Sequence, residues 1–232
     1  MNALSGFERC LAFVNSQLRS VRSPALSSKN GTHWRAVTIS RLAGSGAHVV
    51  AERLAELLQA RTDGKVRSWT VFDRNLVEKV LEDHHLPGRI AGFMPEDRAS
   101  AIEDTLEDLF GLHPPAEALV QKTAETILHL AELGNVILIG RGANVVTSKL
   151  DGVFHVRLVG SLEKRIEYVQ KNKQLGKKVA LEFIRKGDRG RRRFLKRYFK
   201  RNIDDPLLYH LVINTDLIEY EKVAELIANA IS

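Results

Sequence analysis

A single cysteine, Cys10, leaves the chain without an internal disulfide or a thiolate metal cluster. Apolar runs are short. The longest, such as residues 136–139, fall far below the ~20 residues that cross a bilayer, so no membrane segment is expected. At the N-terminus Glu8 and Arg9 interrupt the apolar positions and no small-residue cleavage pattern follows, which argues against a secretory signal and predicts a cytoplasmic location. What the chain does have is positive charge: 35 Lys and Arg against 28 Asp and Glu, a net of +7. The surplus is local. Residues 185–201 hold ten basic residues and one acid, and a segment of +9 in a chain of +7 leaves −2 for everything else. A protein that is mildly acidic outside one segment is a weaker case for nucleic acid than its total charge suggests. At 232 residues, 44% hydrophobic and 27% charged, it has ample core for one α/β domain or two small ones and is excluded from bulk disorder.

Residues 3–19 place Leu4, Phe7, Leu11, Val14 and Leu18 at steps of three and four, an amphipathic helix. The Ser-, Pro-, Gly- and Asn-containing residues 20–33 read as a linker, so residues 1–34 form an appendage that covers an apolar patch or makes a homodimer contact. Residues 35–232 form the main domain. Strands are predicted at 36–40, 68–72, 135–140, 154–159 and 211–214, and helices at 76–81, 95–110, 116–133, from 162 onward, through the basic segment and at 218–231. Strands alternating with helices predict an α/β fold, a mainly parallel sheet with helices on both faces.

Four segments could carry chemistry. Residues 40–48 form a glycine turn between strand and helix. There the N–H groups and the helix N-terminus favour a phosphate, although such turns are common and no Lys follows Gly46. Asp73 and Arg74 end the second strand, where they could bind a substrate or simply cap a helix and pair at the surface. Arg141 stands between Gly140 and Gly142 at the end of a buried strand, the place where open α/β sheets bind ligands. It could fork onto a phosphate or pair with a carboxylate. In the basic segment, Arg191, Arg192 and Arg193 cannot share one helical face, and Asp188 is placed to orient Arg191. His84, His85 and His113 lack a paired metal-ligand spacing and read as surface or loop histidines.

Taken in order, the stretches 37–41 with 44–46, 72–79, 137–144, 162–166, Asp188 with Arg191, Asp205 with Pro206 and 209–215 resemble the cytidylate kinase-like family, a branch of the P-loop nucleoside monophosphate kinases. The resemblance runs from about residue 36 to residue 231. It implies a P-loop nucleotide kinase-like core, a small substrate-binding region at about 73–133 and a basic helical lid at about 170–205. By the same resemblance Ser40, Arg41, Gly44, Ser45, Gly46, Ala47 and His48 would hold ATP, and Asp73, Arg74 and Arg141 the acceptor. Arg141, Asp188 and Arg191 would serve catalysis, with Mg²⁺ accompanying ATP and its ligands unassigned. Members of the family usually read Gly-Ser-Gly-Gly-Arg at this turn. Here residues 44–48 read Gly-Ser-Gly-Ala-His, which puts His48 where the family has a permanent cation and Val49 where cytidylate kinases have a hydroxyl.

The expected activity is therefore ATP-dependent phosphoryl transfer to a nucleoside monophosphate, CMP-like, or to another small acceptor. Two alternatives stay open: a nucleotide-binding regulatory protein without turnover, and a nucleic-acid-binding protein acting through residues 185–201. The last ranks third, because the segment falls where the resemblance puts a lid.

Overall fold

The structure is a computed structural model and describes residues 34–61, 68–73 and 118–232. The expected helices at 3–19, 76–81 and 95–110, the linker 20–33, Arg74 and the histidines 84, 85 and 113 lie outside the described residues.

Five parallel strands form one sheet: β1 (Ala36–Arg41), β2 (Thr70–Phe72), β3 (Val136–Ile139), β4 (Val153–Val159) and β5 (Leu211–Asn214), in the spatial order β2-β3-β1-β4-β5. Each matches an expected strand to within two residues. The described helices are α1 (Ala47–Arg61), α2 (Ala118–Leu133), the single turn α3 (Ala143–Val146), α4 (Leu162–Lys173), α5 (Lys177–Phe199) and α6 (Tyr220–Ala230). The basic segment is helical through Phe199, as expected, and forms the C-terminal part of α5, with Lys200 and Arg201 just beyond its end.

Strand side chains alternate between two cores. Val37, Ile39, Ile137, Ile139, Val156 and Leu158 pack under α1 and α6. Ala36, Val136, Leu138 and Val153 pack on the opposite face with α2, α3 and the C-terminal end of α5. Helices thus cover both faces, as the sequence predicts. A third, smaller cluster joins Ala43 to Ile166 and Val169 of α4 and Ala180 and Ile184 of α5. It seats the α4–α5 hairpin on the turn after β1. Among the described residues no helix is long and apolar enough to cross a membrane.

The same alternation turns His155 and Arg157 of β4 inward, beside Thr38 and Ser40 of β1, their register partners. All four are buried. His155 Nδ1 lies 2.9 Å from Thr38 Oγ1, and the His155 backbone N–H donates to His210 Nδ1 at 2.9 Å. A ring nitrogen that accepts an N–H carries no proton, so the fold holds His210 neutral. Burial, then His210, pushes His155 down to about 4 from 6.5; burial does the same to His129 and also lowers His210.

These shifts set a pH dependence. The folded protein binds these protons less readily than the unfolded chain, so stability is full above about pH 6.5 and falls as pH drops toward 4. Each fully buried histidine contributes up to about 3 kcal/mol over that window. Urea midpoints measured from pH 7 to 4 should fall, and the fall should shrink in His129→Leu. An equal fall in that variant would show that His129 is not responsible.

Candidate active site

The carboxyl ends of β1 and β3 open into a cavity of about 380 Å³ whose other wall is α5. Its polar lining comes from Ser40, Arg41, Arg141, Asn144, Lys186 and Arg191. Arg41 ends β1, Arg141 follows β3, and Arg191 lies on the inner face of α5, so three distant segments bring three guanidinium groups together.

The turn after β3 is built to bring this about. Gly140, Arg141 and Gly142 all have left-handed backbones, with φ of 80°, 56° and 73°. A side-chain carbon on Gly140 would collide with the Arg41 guanidinium, and one on Gly142 would fall 2.7 Å from the Phe199 ring of α5. Glycine is thus favoured at both positions by conformation, and a side chain at Gly140 would displace the Arg41 guanidinium from where it lies. Arg141 bears the cost of a left-handed backbone between them, a strain typical of functional turns.

The crowding of charge has a measurable consequence. Burial, then Arg191 and Arg141, push Arg41 down to about 9 against the opposing pull of Asp73. Burial is also the first cause of the lowering at Arg191, to which Arg141, Arg157 and Arg165 add and which Asp188 resists. A cavity where cations depress one another's proton affinity favours a multiply charged anion.

Asp188 and Arg165 tie this wall to the turn after β1. The Asp188 carboxylate accepts from the Ala43 N–H at 2.7 Å, from Arg165 Nη1 at 2.7 Å and from Arg191 Nη1 at 3.3 Å. Arg165 also donates to the carbonyls of Ala43 and Gly160. The expected orientation of Arg191 by Asp188 is therefore present. A second buried anchor lies below Ser40. Arg157 Nη1 donates to Ser40 Oγ at 2.9 Å and Nη2 pairs with Asp204 at 2.6 Å, while Asp204 also holds Arg192 of α5. The three consecutive arginines do diverge: Arg191 to Asp188, Arg192 to Asp204 and Arg193 to solvent.

Of the glycine turn only Ser40 and Arg41 line the cavity, and residues 42–48 lie beside it. Gly44 and Gly46 are left-handed, with φ of 84° and 75°, and Gly46 is closed over by the Tyr220 ring. Ser45 is buried and its hydroxyl donates to the Leu42 carbonyl, so its side chain faces the loop rather than a ligand. Ala47 packs into the core. His48 turns outward, its Nε2 3.2 Å from Glu52 and its Nδ1 4.0 Å from Asp73. What the turn offers a ligand is backbone: the first N–H groups of α1 have no carbonyl one turn behind them.

Sequence reasoning placed Arg41, Arg141, Asp188 and Arg191 together but missed Arg157, Asp204, Tyr209, Lys186 and Asn144. The alternation of His155 and Arg157 along an otherwise apolar strand was the available signal.

A parallel 2-3-1-4-5 sheet with a glycine turn after β1 and an arginine-rich cavity at the strand ends defines an α/β domain of the P-loop kinase type. The chain belongs to the cytidylate kinase-like family, whose model matches residues 36–217. A cytidylate kinase from Methanocaldococcus jannaschii is 24% identical over 159 residues, covering 67% of this chain and 89% of that protein. A uronate isomerase from Corynebacterium glutamicum is 28% identical over 109 residues, which is 47% of this chain but only 21% of that protein. The crystal structure of an uncharacterized protein from Eubacterium ventriosum matches with a TM-score of 0.65 and 18% identity, over 85% of this chain and 97% of that one.

Proposed function

We propose that the protein transfers the γ-phosphoryl group of ATP to a nucleoside monophosphate, CMP-like, or to another small acceptor. The observation that carries this reading is the convergence of Arg41, Arg141 and Arg191 in one cavity at the strand ends. Phosphoryl transfer asks a protein mainly for positioning and for neutralisation of the charge on the transferring group. The N–H groups at the start of α1 and the left-handed Gly44 and Gly46 fit the ATP phosphates. Asp73, Arg74 and Arg141 hold the acceptor, and Arg191 on the lid neutralises developing charge. Asp188 positions Arg191 and the loop, since its carboxylate is already shared among three donors.

The side chains fit Mg²⁺ poorly. Ser45 donates into its own loop, Ser40 is engaged by Arg157 and Tyr209, and no group of three His, Cys, Asp or Glu converges among the described residues. Mg²⁺ would therefore arrive on the ATP phosphates with its own waters, and no step is routed through it.

A second reading, nucleotide binding without turnover, draws on the loop itself, where Ala47 is in the core and His48 points away. One experiment separates the two. Coupled ADP release is measured across nucleoside monophosphates, with Arg141→Ala as control and calorimetric ATP binding alongside. Acceptor-dependent turnover at least a hundredfold above Arg141→Ala is expected, in the range seen when one preorganised electrostatic donor is removed. Binding with no turnover above that control establishes the second reading, and no binding removes both.

A further inference from the structure

The cavity uses only part of the basic helix. Ala180, Ile184, Asp188, Leu195 and Phe199 of α5 face the domain, and Lys186 and Arg191 reach the cavity. Arg185, Arg189, Arg193 and Arg197 recur every fourth residue and all are exposed. A step of four residues drifts only ~40° around a helix and rises ~6 Å, so the four make one slowly turning row about 18 Å long. The row lies on the side away from the core. Among the described residues the ion pairs of α5 are Arg191 and Arg165 with Asp188 and Arg192 with Asp204, and none reaches this row. Like charges four residues apart weaken a helix, and neither the core nor the cavity explains why this cost is borne three times over.

We propose that the outer face of α5 is a separate binding surface for the phosphodiester backbone of a nucleic-acid strand. The row is complementary in charge and in kind, since guanidinium groups are always charged and fork onto phosphate oxygens. It also matches in length, because at ~3.4 Å per phosphate along one strand, 18 Å faces about five phosphates. An anionic lipid surface suits it less well. The exposed apolar side chains of α5, Val179 and Phe183, lie before the row begins, and the Phe183 ring is already covered by the Lys173 ammonium group at 5.2 Å. The helix's own apolar face is buried, so this side has nothing to sink into acyl chains. Contacts confined to phosphates carry no sequence preference. The proposal does not depend on phosphoryl transfer, and the two fail separately.

The test is fluorescence anisotropy of the full chain with labelled 20-nucleotide single strands and a 20-base-pair duplex from 50 to 200 mM NaCl. The wild type is compared with the quadruple variant R185Q/R189Q/R193Q/R197Q and with single R189Q and R193Q. Wild-type binding should be independent of sequence and fall linearly on a log–log salt plot. The quadruple variant should flatten that slope by about 3, and each single variant by 0.7–0.9, as roughly one released counterion per contact requires. ADP release should stay at the wild-type value, because none of the four lines the cavity, and the melting temperature should hold or rise slightly, because the substitutions relieve like-charge repulsion along the helix. Should the quadruple variant fail to fold, the single variants carry the same test. No binding at 50 mM salt, an unchanged slope in the singles, or binding to phosphatidylserine vesicles but not to either nucleic acid overturns the proposal.

Discussion

Asp188→Ala should lower the free energy of unfolding by about 3–5 kcal/mol, the range for removing one partner of a buried ion pair. The size follows from what is left behind. Asp188 is buried and is shared by the Ala43 N–H, Arg165 and Arg191. Its removal strands a second buried group, Arg165, whose Nη1 then has only the Ala43 carbonyl. It also frees the turn after β1 from the α4–α5 hairpin, whose remaining tie there is the small apolar cluster around Ala43. Asp188→Asn keeps the shape but sets a second donor against Arg165 or Ala43, so it should fall between the two. Urea unfolding of the three proteins checks this, and a loss under about 1 kcal/mol for alanine would mean the carboxylate is not the joint it appears from its bonds. Where folding survives, turnover should drop with it, because Arg191 and the loop lose a common anchor.

The frame of the domain was legible because its signals are local. Four apolar residues at 136–139 bounded by Gly134 and Gly140 can only be a buried strand in an alternating α/β pattern, and β3 is that strand. Gly140, Arg141 and Gly142 were legible as a site because two glycines around a cation at a strand end have few structural uses, and the collision of a Gly140 side chain with Arg41 supplies the reason. The polar network beneath Ser40 was not legible. Arg157 meets Ser40 across 117 residues of sequence, and Asp204 meets Arg157 across 47. No spacing rule connects such partners; the register of β1 against β4 brings Arg157 to Ser40, and Asp204 comes from the segment after α5. The glycine turn marks the middle ground. Its position was readable, but the hydroxyl of Ser45 looked available and is instead spent on the Leu42 carbonyl.

The division of α5 shows how a charge count misleads. The net of +9 over residues 185–201 is not one population: Lys186 and Arg191 are at the cavity, Arg192 is in the Asp204 anchor, four arginines form an outer row that answers to neither, and Lys196, Lys200 and Arg201 make up the rest. Only the first bears on the proposed phosphoryl transfer. The loop adds no cation of its own, since Ala47 is buried and His48 turns outward. In the proposed reaction Arg41 and Arg141 supply what the loop lacks.

That burden makes Arg41→Met the sharpest functional test, because it should move stability and activity in opposite directions. In the absence of an anion Arg41 is a liability: burial and two neighbouring guanidinium groups push its proton affinity down to about 9. A methionine of similar length lies over Gly140 without charge, relieving both the desolvation and the repulsion. A gain of about 1 kcal/mol is expected, which for a chain of this size is a Tm rise of roughly 2–4 °C. Activity should fall about 10²- to 10³-fold, the cost of removing one preorganised donor from a transition-state site. The sign for pH follows from the same shift. The penalty of keeping Arg41 charged is fully present below about pH 9 and fades as pH rises toward 12.5, so the gain in the methionine variant should shrink over that window. ATP binding should reverse the order, raising the Tm of the wild type more than that of the variant, since the anion supplies the charge that Arg41 is held waiting for. Melting curves with and without ATP, read beside ADP release, decide it. A variant that loses stability and activity together would show Arg41 to be a structural residue, and one that keeps its activity would remove it from the site.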